Sequence, residues 1–393
     1  MTTFVTADLL ERVRERLAEH TGVPDAAQLA AAIRTEAGGV LADTDLLRAL
    51  RLLQTEMTGA GLLEPLLHDP RVADVLVTAP DSVWIDRGRG LEHTDVRFAD
   101  EAAVRRLAQR LALAAGRRLD DAQPWVDGKL AGTEAILGDA FGVRLHAVLA
   151  PVAHDGTCLS LRVLRPATQG LDALAAAGSV PPEARRLLAD IVRARLAFLV
   201  VGGTGAGKTT LLSALLAAVD PAERIICVED AAELAPVHPH VVRLVARTAN
   251  VEGVGAVTVR DLVRQALRMR PDRIVVGEVR GAEVVDLLTA LNTGHDGGAG
   301  TVHANSPQEV PARLEALAAL GGMDRAALHS QLAAAVQVIL HVHRRADGTR
   351  GLREIGVLER TLEGIHITPA WRSDDLPAPG APELARLIER RIG

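Results

Sequence analysis

Gly202-Gly203-Thr204-Gly205-Ala206-Gly207-Lys208-Thr209 is the stretch on which the reading of this chain turns. It satisfies G-x-x-x-x-G-K-[ST], the phosphate-binding loop, a motif that depends on its flanks for confirmation. Here the flanks agree. Phe198-Leu199-Val200-Val201 is a short apolar run of the kind a buried parallel strand needs. Thr210-Leu211-Leu212-Ser213-Ala214-Leu215-Leu216 reads as a helix. Glycines let backbone N–H groups curl around phosphate oxygens without a Cβ in the way. The helix that follows points the positive end of its dipole at the same anion. Residues 202–210, Thr210 included, are therefore the candidate nucleotide contacts. Lys208 is expected to reach the outer phosphates and Thr209 to hold Mg²⁺. Lys208 and Lys129 are the only lysines, and every other residue among the 44 Lys+Arg is arginine. A lysine against that background points to a need for a compact charge.

Two apolar strands downstream end in acids. Ile225-Ile226-Cys227-Val228 runs into Glu229-Asp230, with Glu233 following, and Ile274-Val275-Val276-Gly277 runs into Glu278. In a parallel sheet the carboxyl ends of strands share an edge with the phosphate loop. Both acids are then expected to face the γ-phosphate and Mg²⁺. One would orient and deprotonate water while others hold the metal through its water shell. Glu278 is read as the base and Glu229, with Glu233 and Thr209, as the metal or water organiser, with the two roles open to exchange. His295 and His303 flank Gly297-Gly298-Ala299-Gly300. Their spacing fits no standard zinc signature, so they are read as sensors of the γ-phosphate or of a subunit contact. Arg268, Arg270, Arg273 and Arg280 crowd the same region. Some of them are expected at the surface, and one or two at a neighbouring subunit's phosphates.

Away from this region the chain divides by pattern. Residues 1–65 form a helical extension, with Leu9, Leu10, Val13 and Leu17 at helical spacing and a second helix through Leu46–Leu53. Residues 66–165 read as an α+β domain. It has strands at 72–77, 82–86, 143–148 and 158–163 and a helix at 102–113. The alternation in the last two strands puts Arg144, His146 and Arg162 on one face. Residues 166–182, rich in Ala, Gly and Pro, read as a hinge. From 183 to 345 strands (196–201, 224–228, 240–244, 273–277) alternate with helices (184–194, 208–218, 259–269, 281–292), as in a doubly wound α/β domain. Thr258 with Asp261 makes a capping box at the start of the third of these helices. Residues 309–342 read as helical, and 346–393 as a strand and helix extension ending in a short basic helix.

Bulk composition narrows the function. A 48% hydrophobic share with 24% charged residues is that of a globular protein. A net charge of −6 with 2% aromatics argues against a general nucleic-acid surface, since stacking platforms and a basic track are both scarce. Two cysteines give no disulfide framework, and Cys227 reads as core. No apolar run is long enough for a bilayer span and no signal-peptide layout opens the chain. A cytoplasmic protein that meets membranes only through a partner is expected.

Taken in order, five segments resemble the type II/type IV secretion ATPases. They are the phosphate loop, Glu229-Asp230-Ala231-Ala232-Glu233-Leu234, Leu267-Arg268-Met269-Arg270-Pro271-Asp272-Arg273, Gly277-Glu278-Val279-Arg280-Gly281 and the His295–His303 segment. The branch looks like the tight-adherence (Flp) pilus ATPases, and the resemblance covers about residues 66–345. It implies a RecA-like P-loop domain, a PAS-like N-terminal α+β domain and a homo-hexamer. It implies ATP bound with Mg²⁺ between the domains and an inner-membrane platform protein as partner. Arg144 and Arg162 match the family's N-terminal arginines, and Arg280 joins the nucleotide contacts. ATP turnover would drive pilin polymerisation or protein export. A conjugation-type DNA motor, or a nucleotide-binding scaffold with little hydrolysis, are the alternatives. Two segments depart from the family pattern. Gly298-Ala299-Gly300 replaces a more strand-like triplet, predicting a looser segment, and Gly138-Asp139-Ala140-Phe141-Gly142 replaces an Asp-Gly-Ser-Arg turn. The four-cysteine insert of the type II export branch is absent.

Overall fold

A computed structural model describes residues 59–130 and 142–392, apart from 166, 250–252, 346, 363 and 375, and parts of the first 50 residues. The fold is α/β, in two compact units, Met1–Leu164 and Arg165–Gly393. The 138–141 part of the altered turn, Leu10 and Leu17 of the first N-terminal helix and residues 51–53 of the second lie outside the described residues.

In the first unit, helix α1 (Ala26–Glu36) packs Leu29, Ala32 and Ile33 against Leu9, Val13, Leu46 and Ala49 in a small core of their own. After α2 (Glu64–His68) come β1 (Asp74–Ala79), β2 (Ser82–Asp86) and β3 (Leu91–His93). Helix α3 (Glu101–Ala114), β4 (Trp125–Leu130), β5 (Gly142–Val148) and β6 (Cys158–Leu164) follow. The strands form an antiparallel sheet in the order β3-β2-β1-β6-β5-β4. Helix α3 starts where the Asp100 carboxylate accepts from the Ala103 N–H at 2.7 Å. It buries Val104, Leu107, Ala108 and Leu111 at helical spacing. Those side chains join Val143, Leu145, Leu159 and Leu161 in one core. The predicted alternation holds, with Arg144 and His146 on β5, and Ser160 and Arg162 on β6, turned to the other face.

The second unit contains α4 (Leu171–Ala176), α5 (Pro182–Arg193), β7 (Phe198–Val201), α6 (Lys208–Ala217), β8 (Ile225–Glu229) and β9 (Val241–Val245). It continues with α7 (Val259–Ala266), β10 (Arg273–Val279), α8 (Glu283–Leu291), β11 (Ala299–Val302), α9 (Val310–Leu320) and α10 (Arg325–Ala335). It closes with β12 (Val338–Arg344), β13 (Arg350–Arg360), β14 (Ile365–Arg372) and α11 (Ala381–Ile392). All eight strands make one sheet, in the order β14-β13-β12-β7-β11-β10-β8-β9. It is parallel from β12 to β9 and antiparallel from β12 to β14. Helices α4, α5, α6 and α11 bury Leu174, Leu188, Leu215 and Leu384 on one face. Helices α7 to α10 bury Val263, Leu287, Leu314 and Leu328 on the other. Covered on both faces, β7, β8 and β11 are apolar or small at almost every position and buried throughout.

Three sequence readings differ from this structure. The 167–182 stretch, read as a hinge, contributes Leu171, Leu174 and Val180 to the core of the second unit. Its Ala and Gly content masks these few apolar anchors. The helical reading of 309–342 stops at Ala335, because Val338-Ile339-Leu340-His341 pairs with β7 as a buried strand. Gly298-Ala299-Gly300 is not loose. Ala299–Val302 is a fully buried strand between β7 and β10. A Cβ on Gly298 would run into the Leu291 side chain and lie 2.7 Å from the Ile274 carbonyl oxygen. The glycine therefore permits close packing there instead of loosening the chain. Helix α7 opens with the expected capping box, in which the Asp261 N–H donates to Thr258 Oγ1 at 3.1 Å and the Thr258 N–H to Asp261 Oδ2 at 3.0 Å. Among the described residues no helix is long and apolar enough to cross a membrane.

Candidate functional site

Strand β7 delivers the chain to the phosphate loop and α6 receives it at Lys208. Gly205 (φ 68°) and Gly207 (φ 98°) adopt left-handed backbone that a side chain would strain, which lets the loop turn tightly onto the helix. Lys208 is buried, and its Nζ donates to the carbonyl oxygens of Gly202 and Gly203, each at 3.0 Å. It also lies 3.4 Å from His303 Nδ1. Burial holds the ammonium's pKa below its ordinary value, while the nearby Glu278 acts in the opposite direction.

The acids arrive from the neighbouring strands at the same edge. Glu278, near the end of β10, is ion-paired to Arg280 through Oε2, and its Oε1 lies against His303 Nε2. Arg280 also donates to Asp230 Oδ2 at 3.1 Å. Lys208, His303, Glu278, Arg280 and Asp230 thus form one connected polar chain across β7, β11, β10 and β8. Burial, followed by the Lys208 charge, pushes the His303 pKa down, which favours the neutral ring. Glu229 ends β8 and is only 3% exposed. Its Oε1 accepts from the N–H groups of Glu233 (3.0 Å) and Leu234 (2.9 Å), folding the chain so that Glu233 faces α6. The Thr209 hydroxyl then donates to Glu233 Oε2 at 3.3 Å. Glu229 Oε2 is buried without a hydrogen-bond partner. Burial raises the Glu229 pKa to about 7, against the two backbone donors that lower it.

Thr209 and Glu233 offer hard oxygen donors, and the orphaned Glu229 Oε2 has capacity for one more polar neighbour. Among the described residues no group of three or more His, Cys, Asp or Glu could hold a metal by itself. That donor set suits Mg²⁺, which keeps much of its water and takes its remaining ligands from phosphates. A cleft of about 570 Å³ opens beside the loop, lined by Gly203, Thr204, His303, Asn305, Glu309 and Arg313 among others.

Other candidates lie elsewhere. His295 precedes β11, so the length of that strand separates it from His303, and its Nδ1 lies 3.3 Å from the Pro271 carbonyl oxygen. The structure does not bring it to the phosphate loop. Arg273, one of the four arginines read as lying at the surface or at a neighbouring subunit's phosphates, is instead 1% exposed. It clamps Glu223 (2.8 and 3.0 Å) and donates to the Val192 and Gly297 carbonyl oxygens, a structural tie. Arg268 and Arg270 are exposed. In the first unit Arg144 and Arg162 are cross-strand neighbours. They are paired with Asp127 (2.9 Å) and Asp74 (2.8 Å) beside a cleft of about 400 Å³ that also includes His146 and Ser160. Sequence reasoning missed the strand on the far side of β7, since residues 338–342 read as helix. The Val342 carbonyl oxygen packs directly against Gly202, so β12 forms a wall of the loop. Val336, Val338 and Ile339, three β-branched residues within four, were the available signal.

Comparison with known proteins points to one family. The family model described as "Type II/IV secretion system protein" matches residues 56–355. A "putative conjugal transfer protein" of Mycobacterium tuberculosis is 70% identical over 352 residues, covering 90% of this chain and 99% of that protein. The "type IV secretion system protein PtlH" of Bordetella pertussis is 30% identical over 345 residues, covering 81% of this chain and 95% of that protein. Among solved structures, the Yersinia pseudotuberculosis ATPase DotB has a similar fold. It has a TM-score of 0.53 at 19% identity, over 86% of each chain.

Proposed function

The chain belongs to the type II/IV secretion system protein family, and from that premise we propose that it is an ATP-hydrolysing motor. The observation that carries the proposal is the convergence of Lys208, His303, Glu278, Glu229 and the Thr209–Glu233 pair on one phosphate loop. Loop amides and Lys208 would hold the β- and γ-phosphates. Thr209 and Glu233 would hold Mg²⁺, which supplies charge neutralisation for the departing diphosphate.

The two acids exchange the roles first given to them. Glu278 is engaged by Arg280 and His303. Each acid keeps one buried oxygen without a hydrogen bond, but Glu229 is ion-paired to no cation among the described residues and has a pKa near 7. A general base works best with a pKa near the working pH. Glu229 is therefore assigned to orient water and accept its proton. Glu278 would hold His303 and Arg280 toward the terminal phosphoryl group. The family resemblance also assigns Arg144 and Arg162 to the nucleotide. ATP turnover of Arg144→Ala and Arg162→Ala tests that assignment, and parental rates in both would overturn it.

Lys208→Ala is expected to abolish ADP and ATP binding measured by calorimetry. Parental affinity would sink the loop assignment. Glu229→Gln should keep ADP affinity and lose turnover by about 10²-fold or more. Turnover equal to the parent would return the base to Glu278.

The motor would act as a homo-hexamer on an inner-membrane partner. The Flp-pilus or protein-export reading rests on the motif order. A DNA-transfer reading is favoured by the description of the Mycobacterium tuberculosis relative as a putative conjugal transfer protein. Turnover with and without single-stranded DNA separates the two. Several-fold stimulation supports DNA transfer, and no response supports a pilin or protein cargo.

A further inference from the structure

We propose that Arg350 is a nucleotide-positioning residue that neutralises the α-phosphate, at the nucleoside end of the bound polyphosphate. The inference rests on the reading of residues 202–209 as a nucleotide site. Strand β7 lies between β11 and β12, so the loop that leaves it has two flanks. The flank over β11, β10 and β8 carries His303, Glu278 and Glu229, the groups suited to a terminal phosphoryl group. A polyphosphate with one end there extends its other end across the start of α6 toward the second flank. That flank is the hairpin joining β12 to β13.

Arg350 is the first residue of β13 and pairs with Arg344. A Cβ placed on Gly207 would lie 3.5 Å from Arg350 Cδ and 3.8 Å from its Cβ. The alkyl stem of Arg350 therefore lies across the last glycine of the loop, the residue that caps α6. The residue is exposed, and its guanidinium makes no hydrogen bond or ion pair among the described residues. Hydrogen bonds tie residues on either side of this turn. The Arg345 N–H donates to the Thr349 carbonyl oxygen at 2.7 Å, and the Thr349 N–H and hydroxyl donate to Asp347 Oδ1 at 2.8 and 2.6 Å. From 344 to 353 the sequence holds Arg344, Arg345, Arg350 and Arg353 against the single acid Asp347. The hairpin is thus electropositive where an anion would pass. Only Gly207 separates the Arg350 stem from the helix start.

An α-phosphate contact is present in ADP and ATP alike, so it should appear as uniform binding. Calorimetric titration of ADP and of a non-hydrolysable ATP analogue into the parent, Arg350→Ala, Arg350→Lys and Lys208→Ala proteins tests this. Arg350→Ala should weaken both nucleotides by the same factor, about tenfold, the scale of one charge-assisted contact. Arg350→Lys should recover most of the loss. In turnover the loss should fall on KM and leave kcat little changed. Unchanged ADP affinity in Arg350→Ala, or weakening confined to the triphosphate, overturns the assignment. If Lys208→Ala loses ADP while Arg350→Ala binds it normally, only the Arg350 inference fails. If the parent binds neither nucleotide, the nucleotide-site reading fails and this inference with it. Equal thermal melting of the Arg350 variants and the parent shows that the exposed position has not altered the fold.

Discussion

Glu229 places an ionisable group almost wholly out of water, with one oxygen satisfied by two backbone donors and the other by none. Burial lifts its pKa from 4.5 to about 7. The folded state therefore holds the proton more tightly than the unfolded chain does. The stability this adds is complete below about pH 4.5 and is lost as pH rises through about 7. His341 acts in the opposite direction. Burial and the Arg353 charge lower its pKa to about 4, so its contribution is present above the ordinary histidine pKa and fades toward acid. In a comparison of the parent with Glu229→Gln, the His341 term cancels. The stability of the parent relative to that variant should fall between pH 4.5 and pH 7.5 by up to about 3 kcal/mol. Urea unfolding at several pH values reads it, and a pH-independent difference would show that Glu229 ionises as freely as in the unfolded chain.

Strand β11 shows how an element can be set by what it leaves out. Gly298 and Gly300 are poor strand formers by propensity, yet Leu291, Leu287 and the carbonyls of Ile274 and Val276 pack where side chains would stand. Gly298→Ala should therefore destabilise the protein by about 1–3 kcal/mol through overpacking, read as a lower urea midpoint. An unchanged midpoint would mean that Leu291 moves aside without cost. The α7 start is the converse case, because its capping box was legible from Thr258 and Asp261 alone. Thr258→Ala should lower stability by about 1 kcal/mol, and a change under a quarter of that would show the Asp261 half of the box sufficing. The difference between the two is locality. A cap joins residues three apart, whereas the partners of Gly298 come from α8 and β10.

Each unit of the molecule contains its own apolar core. Residues 165–393 expressed alone should unfold cooperatively, and a broad, non-cooperative melt would contradict an independent core. Within that unit Arg273 ties the end of α5, the 223 turn and Gly297 together through Glu223 and two carbonyls. Removing one partner of a buried pair leaves a buried charge, so Arg273→Ala should cost about 3–5 kcal/mol in urea unfolding. The double variant with Glu223→Gln should cost less than the two single losses added together. Simple additivity would show that the two side chains act separately.

The loop at 202–209, the acids at 229, 233 and 278 and the alternation that sorts Arg144 from Leu145 could all be read from the chain. Each is a short pattern whose meaning depends on backbone geometry within a few residues. Which flank of the loop each strand occupies was decided only by the tertiary structure. It placed β12 against β7, moved His295 to the opposite edge from His303, buried Arg273 and laid Arg350 over Gly207. Those relations depend on the order in which distant strands pair. That order is fixed by burying two helical layers on one sheet at once, a cooperative balance that no single stretch of residues contains.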